Sequence, residues 1–398
     1  MELPSLASLI LRNNCLRLCE RILNKMSKFL YISMENFDNE SIITDGIVKK
    51  IKGQMLALSN LGIEADYIGR KNGRVCLWNG DEEKELFIST GSGYRDFSRA
   101  AKALIPMIEL EIWDKIYVRY SGTSKGMLDL YRLCKKMQIK IFLEVPTYPI
   151  KQELMKSFNG RINYVISNYF NKYLEKYVTS IITFGNFKTI WEIPAINIKN
   201  GINMANIPIT KPKSIENIRL ILFGNLIWWQ GYDRLLEGLA LYYQSTSIKR
   251  MVYIEIVGDG TEVDNYHKIV EFNSLQEYVT FHGKKGAEEL DEIFSNVHIG
   301  INSLGCHRKG LIELSTLKSK EFLARGLPVI YSTKDNCLPE KSFFCKKVPE
   351  DESPVDIDAI ISFYDSVTEH KDYPEEIRGY AENTISWDIQ MAEVVENF

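Results

Sequence analysis

Residues 219–243 read RLILFGNLIWWQGYDRLLEGLALYY. RLILFG is a short apolar run ending in glycine, the mark of a buried strand. DRLLEGLALYY carries apolar residues at helical spacing. A buried strand that turns directly into a helix is half of a parallel β-α-β unit. The same alternation continues downstream through VYIEIVG (252–258), YVTFHG (278–283), HIGINS (298–303) and LPVIYS (327–332), with helices expected around 287–296 and 314–325. Upstream, PITKPKSIEN (208–217) has the prolines, lysines and polar residues of a linker. Before it the alternation is already present. KFLYIS (28–33), EADYIG (64–69), KIYVRY (115–120), KIFLEV (140–145), SIITFG (180–185) and a segment around Ile198–Asn203 read as strands, and DGIVKKIKGQMLALSNLG (45–62) as a helix.

Two such runs predict an α/β protein with two Rossmann-like, doubly wound domains. Ligands in these sheets bind outside the carboxyl ends of the strands. The expected site is therefore a cleft between the two domains. The expected division is 28–205 for the N-terminal domain, 206–375 for the C-terminal domain and 376–398 for a helix that crosses back. Within the last stretch, Ser386 is the expected N-cap of SWDIQMAEVVENF.

Composition limits what such a chain does. Its 398 residues are 45% hydrophobic and 25% charged, ordinary for a globular protein. Lys+Arg (49) and Asp+Glu (52) nearly balance, leaving −3, which argues against nucleic acid as a partner. Seven cysteines with no CxxC pattern read as reduced thiols of a cytoplasmic protein. No apolar run reaches the roughly 18 residues of a spanning helix. Residues 1–27 interleave leucines with Arg12, Arg17, Arg21 and Lys25. Two readings stay open for them: a basic amphipathic helix resting on anionic lipid at the inner face of the plasma membrane, or an extension upstream of a start at Met26.

The stretch richest in chemistry is HRKGLIELSTLKSKEFLARGLPVI (307–330). A helix over 314–325 places Leu314, Leu317, Glu321 and Ala324 on one face, so Glu321 lies in or beside an apolar stripe. A carboxylate there needs donors, and sugar hydroxyls or a structural salt bridge both serve. Glu313 stands at the helix entrance, where free amides and the dipole favour an anion. Arg308, Lys309, Lys318 and Lys320 surround that entrance; an anion site and a merely solvated basic loop are both open for Arg308 and Lys309. Trp228, Trp229 and Tyr232 serve equally well as core or as a sugar-stacking cluster. Asp356-Ile357-Asp358 is a DxD triplet, but in an acidic, Pro-containing loop it reads as a helix start rather than a metal site.

These residues carry a family resemblance. Glu313 and Glu321 with seven residues between them, followed by ARGLPVI, resemble the EX7E motif and succeeding strand of retaining GT-B glycosyltransferases of family 4. KNGIN, FGNLIWWQGYDRLLEGL, VGDGTEVDNY and VTFHGKKGAEELDEIFSNVHIGINS are similar to that family's further elements, in order. IYVRYSGTS and FLEVPTYP resemble a bacterial subgroup that assembles surface polysaccharides.

The resemblance implies a GT-B fold and sugar transfer from a nucleotide-diphosphate sugar, UDP-linked rather than GDP-linked. The acceptor is a hydroxyl of an oligosaccharide or lipid-linked glycan, with retention and without metal or other cofactor. Glu321 would bind the ribose and Glu313 the transferred sugar. The amides of Leu314, Ser315 and Thr316 would hold the diphosphate, with Lys318 beside them. Gly46 would approach the phosphates from the other domain, and Gly258 would shape the strand end. Loops 34–45 and 91–97 would meet the acceptor. The chain departs from the pattern at Asn225 and Gln230, where the family commonly places Arg and Lys on the diphosphate. Arg308, Lys309 or Lys318 would have to substitute. Failing that, a non-catalytic GT-B scaffold or a nucleotide-sugar epimerase remains as an alternative. A second departure lies at the end of KIFLEV, where Thr147 and Tyr148 stand in place of a common His.

Overall fold

A computed structural model describes residues 28–37, 46–80, 82–110, 113–150, 158–211, 216–245 and 250–398. The readings made for residues 1–27 and for most of loop 34–45 lie outside these. Two compact units divide the chain, one holding the residues up to Lys199 together with Gln390–Phe398, the other Asn200–Ile389.

The first unit is built on β1 (Phe29–Asn36), α1 (Gly46–Asn60), β2 (Ala65–Lys71), β3 (Arg74–Asn79), β4 (Glu82–Ile88), α2 (Gly93–Ile108), β5 (Lys115–Arg119), α3 (Lys125–Lys136), β6 (Lys140–Val145), α4 (Phe158–Asn171), β7 (Ser180–Thr183), β8 (Thr189–Ile190) and β9 (Ile193–Asn197). Its nine-stranded sheet has the order β4-β3-β2-β1-β5-β6-β7-β9-β8. Pairs from β2 through β1, β5, β6 and β7 to β9 are parallel, while the β3–β4 hairpin and β8 are antiparallel edges. The hairpin was not expected from the sequence, although Asn79-Gly80 is a strong turn signal and Gly80 has φ +57°. The strand expected at Ile198–Asn203 is instead β9. Beyond Asn197 the chain leaves the sheet, and Ile202 donates its amide to the Ile385 carbonyl.

Strand alternation gives this sheet two different faces. Leu30, Ile32, Ile116, Val118, Ile141 and Leu143 join one apolar core with Phe97 and Leu104 of α2 and Met127 and Tyr131 of α3. Intervening residues form an aromatic and charged face beneath α1. There Gln54 accepts from Tyr31 Oη (2.8 Å) and donates to Glu144 Oε2 (2.8 Å). Tyr117 Oη also donates to Glu144 (2.6 Å), Arg119 Nη1 donates to its other oxygen, and Lys50 Nζ lies 3.4 Å away. Glu144 and Gln54 are fully buried. Burial pushes the Glu144 carboxyl up, but Lys50, Arg119 and the two neutral donors outweigh that and hold it below the usual carboxylate range. Further along this face Phe398 stacks on Phe29 (centroids 5.1 Å) and tilts against Phe142 (4.8 Å).

The second unit contains β10 (Ile218–Asn225), α5 (Asp233–Gln244), β11 (Val252–Asp259), α6 (Val263–Phe272), β12 (Val279–Gly283), α7 (Ala287–Phe294), β13 (Ile299–Ile301), β14 (Glu313–Leu314), α8 (Leu317–Ala324), β15 (Val329–Tyr331), β16 (Lys334–Asp335), β17 (Cys345–Lys347), α9 (Ile357–Thr368) and α10 (Tyr373–Thr384). α11 (Trp387–Val395) runs out of this unit into the first. Its six-stranded sheet, β12-β11-β10-β13-β15-β17, is parallel throughout. Numbered by appearance this is the order 3-2-1-4-5-6, which reverses direction between β10 and β13. Asp356 caps α9 by accepting from the Ala359 amide (3.0 Å), the helix-start role expected of the DxD triplet. Ser386 likewise accepts from the Ile389 amide at the start of α11 (3.2 Å).

Candidate functional site

The reversal between β10 and β13 leaves a crevice outside their carboxyl ends, and polar side chains converge there. Gly224 and Gly258 sit opposite one another at the ends of β10 and β11. Gly258 has φ +133°, and a Cβ on it would lie 1.9 Å from the Gly224 carbonyl oxygen, so only glycine fits. Past Asn225 a short 3-10 turn, Trp228–Gln230, folds Gln230 back beneath the strand end. Gln230 is buried; its Nε2 donates to the Asn225 carbonyl (3.3 Å). Its Oε1 accepts from Ser303 Oγ (2.5 Å), just past β13, and from Lys318 Nζ (2.5 Å).

Lys318 lies in the first turn of α8. Its ammonium also donates to Tyr232 Oη (2.8 Å) and Ser303 Oγ (3.1 Å). All three partners are neutral oxygens, and among the described residues no carboxylate pairs with it. Loss of water around the ammonium pushes its pKa down to about 7. A cation so placed is short of negative charge.

The start of α8 is fixed from beneath. Thr316 is its N-cap, with Oγ1 accepting from the Ser319 amide (3.2 Å). Buried Asp335 accepts from Thr316 Oγ1 (3.0 Å), Ser319 Oγ (2.7 Å), Asn302 Nδ2 (3.2 Å) and the Thr316 amide (3.3 Å). This anchoring corrects the helix start expected at 314. Asp335 draws the preceding residues extended, and Glu313–Leu314 pair with Lys334–Asp335 as β14 and β16. The expected apolar stripe fails with it: Leu317 is 59% exposed, and the buried face is Ser319, Lys320, Phe322, Leu323 and Ala324.

The remaining expected residues separate. Glu321 is part-buried, and one carboxylate oxygen accepts from Arg325 Nε (2.9 Å) and lies 2.8 Å from Nη2. That is the salt-bridge alternative; among the described residues its other oxygen accepts no bond. Glu313 is exposed, 3.8 Å from Lys334 Nζ. Ser315 Oγ accepts from buried Lys320 (3.1 Å). Arg308 is committed elsewhere, forking onto Asp233 (3.0 and 2.7 Å) and Glu352 (3.0 and 2.5 Å) and donating to the Trp228 carbonyl (2.6 Å). Those two carboxylates raise its pKa further. Lys309 Nζ lies over the Trp229 ring, 4.8 Å from the centroid. Gly46 opens α1 in the first unit. Sequence reasoning missed Asn302, Ser303 and Asp335, although an Asn-Ser pair closing the apolar strand HIGINS was a visible signal.

No protein-family model matches the chain, and no curated protein matches it either. Anabaena HepE, solved in complex with UDP, aligns over 93% of this chain and 100% of its own at 13% identity, with a TM-score of 0.51. The lipopolysaccharide outer core galactosyltransferase WaaB, in its apo form, aligns over 93% of this chain and 100% of its own at 12% identity, with a TM-score of 0.52. Both likenesses span both units, and the fold is GT-B. Among the described residues no helix is long and apolar enough to cross a membrane.

Proposed function

We propose that this protein is a glycosyltransferase that moves a sugar, with retention, from a nucleoside diphosphate sugar to a hydroxyl of an oligosaccharide or lipid-linked acceptor. The observation that carries this reading is the Lys318 ammonium, held by neutral oxygens at the switch point of a Rossmann-type sheet. A diphosphate is the anion that such a crevice suits. UDP is favoured as its nucleoside diphosphate, in keeping with HepE, which was solved with UDP. Surface-polysaccharide assembly at the inner membrane face is the setting that the sequence resemblance suggests.

Each residue then has a task. Bond breaking at the anomeric carbon builds positive charge on the sugar and negative charge on the leaving diphosphate. Lys318 and the amides opening α8 stabilise the latter, so no metal is needed for that charge. Gln230 holds Lys318 in place rather than touching phosphate itself. The neutral pair Asn225 and Gln230, which motivated the scaffold alternative, is thereby offset by a lysine delivered from α8. The free oxygen of Glu321 takes the ribose hydroxyls and Glu313 the transferred sugar. The acceptor proton passes to the departing diphosphate.

Calorimetric titration of UDP, GDP, ADP and CMP tests the donor half. Glu321→Ala should weaken binding of the preferred diphosphate by about 1.5–3 kcal/mol, roughly tenfold to 150-fold. Glu313→Ala should lower turnover and leave free-diphosphate binding nearly intact. Unchanged diphosphate binding in folded Glu321→Ala would remove the ribose assignment.

A further inference from the structure

The first unit contains a second concave site, distinct in composition from the crevice of the second. It opens where β5 and β6 end, between Tyr120, Tyr148 and the helix α4. Its volume is about 90 Å³. One wall is aromatic and continuous: Trp191 touches Tyr120 (centroids 5.1 Å, tilted 42°) and Tyr148 (6.0 Å, 85°). Helix α4 lines the pocket with Tyr164, Ser167, Asn168 and Asn171. Among the described residues none of the lining side chains is charged.

Asn171 shows that the site is built rather than incidental. It is 5% exposed, and its Oδ1 accepts from Thr123 Oγ1 (2.6 Å) and Tyr120 Oη (3.1 Å). Those two donors fix the amide's orientation. Its Nδ2 donates to nothing among the described residues, and the side chain lines the pocket. With Oδ1 occupied by both donors, Nδ2 is the group that Asn171 leaves for a ligand acceptor. Ser167, equally buried, is held in place by accepting from the Thr123 amide (3.0 Å).

We propose that this pocket binds one ring of a neutral glycan, with the Asn171 amide donating to a ring hydroxyl and the Tyr120–Trp191–Tyr148 wall covering the ring's C–H face. A sugar ring is polar at its rim and apolar on its faces, which matches a lining of aromatic rings interleaved with neutral amides and a hydroxyl. A nucleobase is the competing occupant, and competition with uridine separates the two. The pocket lies at carboxyl ends of parallel strands, where such sheets take their ligands. That this ring belongs to the acceptor rests on the glycosyl-transfer reading; its binding does not.

The experiment is calorimetric titration of maltotriose, cellotriose, chitotriose and β-1,4-galactotriose into the full chain without nucleotide, with UDP titrated in parallel. At least one trisaccharide should bind, and Asn171→Asp and Trp191→Ala should each weaken it by about tenfold or more. UDP binding should be unchanged in both. Asn171→Asp keeps an oxygen for Tyr120 and Thr123, so it decides the matter if Trp191→Ala does not fold. Failure of all four trisaccharides to bind, binding indifferent to Asn171→Asp, or displacement of the trisaccharide by uridine would each overturn the proposal. Trisaccharide binding that is lost in Asn171→Asp, in a protein that binds no nucleoside diphosphate, would uphold the pocket and defeat the glycosyl-transfer reading instead.

Discussion

Lys318→Met should lower sugar transfer about a hundredfold to a thousandfold, the scale seen when one preorganised donor to a developing anion is removed. The same change should not destabilise the protein. Lys318 holds an ammonium among three neutral oxygens, with its pKa down to about 7. That is a strained placement for a cation, and methionine removes the strain. Activity lost with stability kept or raised is the signature expected of a group placed for a ligand. The pH dependence has a definite sign. The folded value lies below the ordinary lysine value, so from about pH 7 to the usual lysine range near 10.4 the unfolded chain holds the extra proton. Wild-type stability should therefore rise with pH across that window, and Lys318→Met should lose the rise. A bound diphosphate favours the charged form. UDP should accordingly bind with proton uptake, and more weakly as pH rises through about 7. Calorimetry in two buffers of different ionisation heat measures the uptake. Affinity flat from about pH 6 to 9 would contradict the role given to Lys318.

The second large effect lies in the first unit. Glu144→Leu should destabilise the protein by about 3–5 kcal/mol, read from urea unfolding, because it leaves Arg119 and Lys50 beside an apolar side chain. Gln54 and Tyr117 would each lose their carboxylate partner as well. Acid sensitivity follows from the direction of the shift. The Glu144 carboxyl is held below the usual range, so its contribution is complete above the ordinary carboxylate pKa and is lost as pH falls through the folded value. Glu144→Gln should flatten that part of the acid limb. A Glu144→Leu protein as stable as wild type would show that the network contributes nothing.

Much of this architecture was legible in the sequence. Apolar runs such as RLILFG and VYIEIVG became β10 and β11 because a parallel sheet buries both faces of each strand, leaving no polar alternation to confuse them. What failed was local. A 3.6-residue period fitted 314–325, yet Asp335, from the far side of the next strand, captures the Thr316 amide and sets the helix start three residues later. No window of sequence contains that contact. Nothing in KIFLEV marks Glu144 as the centre of a buried network, for the same reason. Its partners Lys50, Gln54, Tyr117 and Arg119 come from two other elements, α1 and β5, although Arg119 does stand directly opposite it in the β5–β6 register. At the crevice, composition offered three cations as stand-ins, and only geometry separates them: Arg308 is bound to two carboxylates, Lys309 lies over Trp229, and Lys318 meets Gln230.

The hairpin that ends the nine-stranded sheet bears on how the molecule behaves in a crowd. An outermost strand carries unpaired backbone groups that a neighbouring chain can zip onto. In β4 the outward run begins Glu82-Glu83-Lys84-Glu85, all exposed, and at the opposite border β8 is only two residues long. A second chain approaching β4 meets a row of exposed charges, and one approaching β8 finds almost nothing to pair with. The largest sheet in the protein thus discourages its own extension into aggregates at both borders.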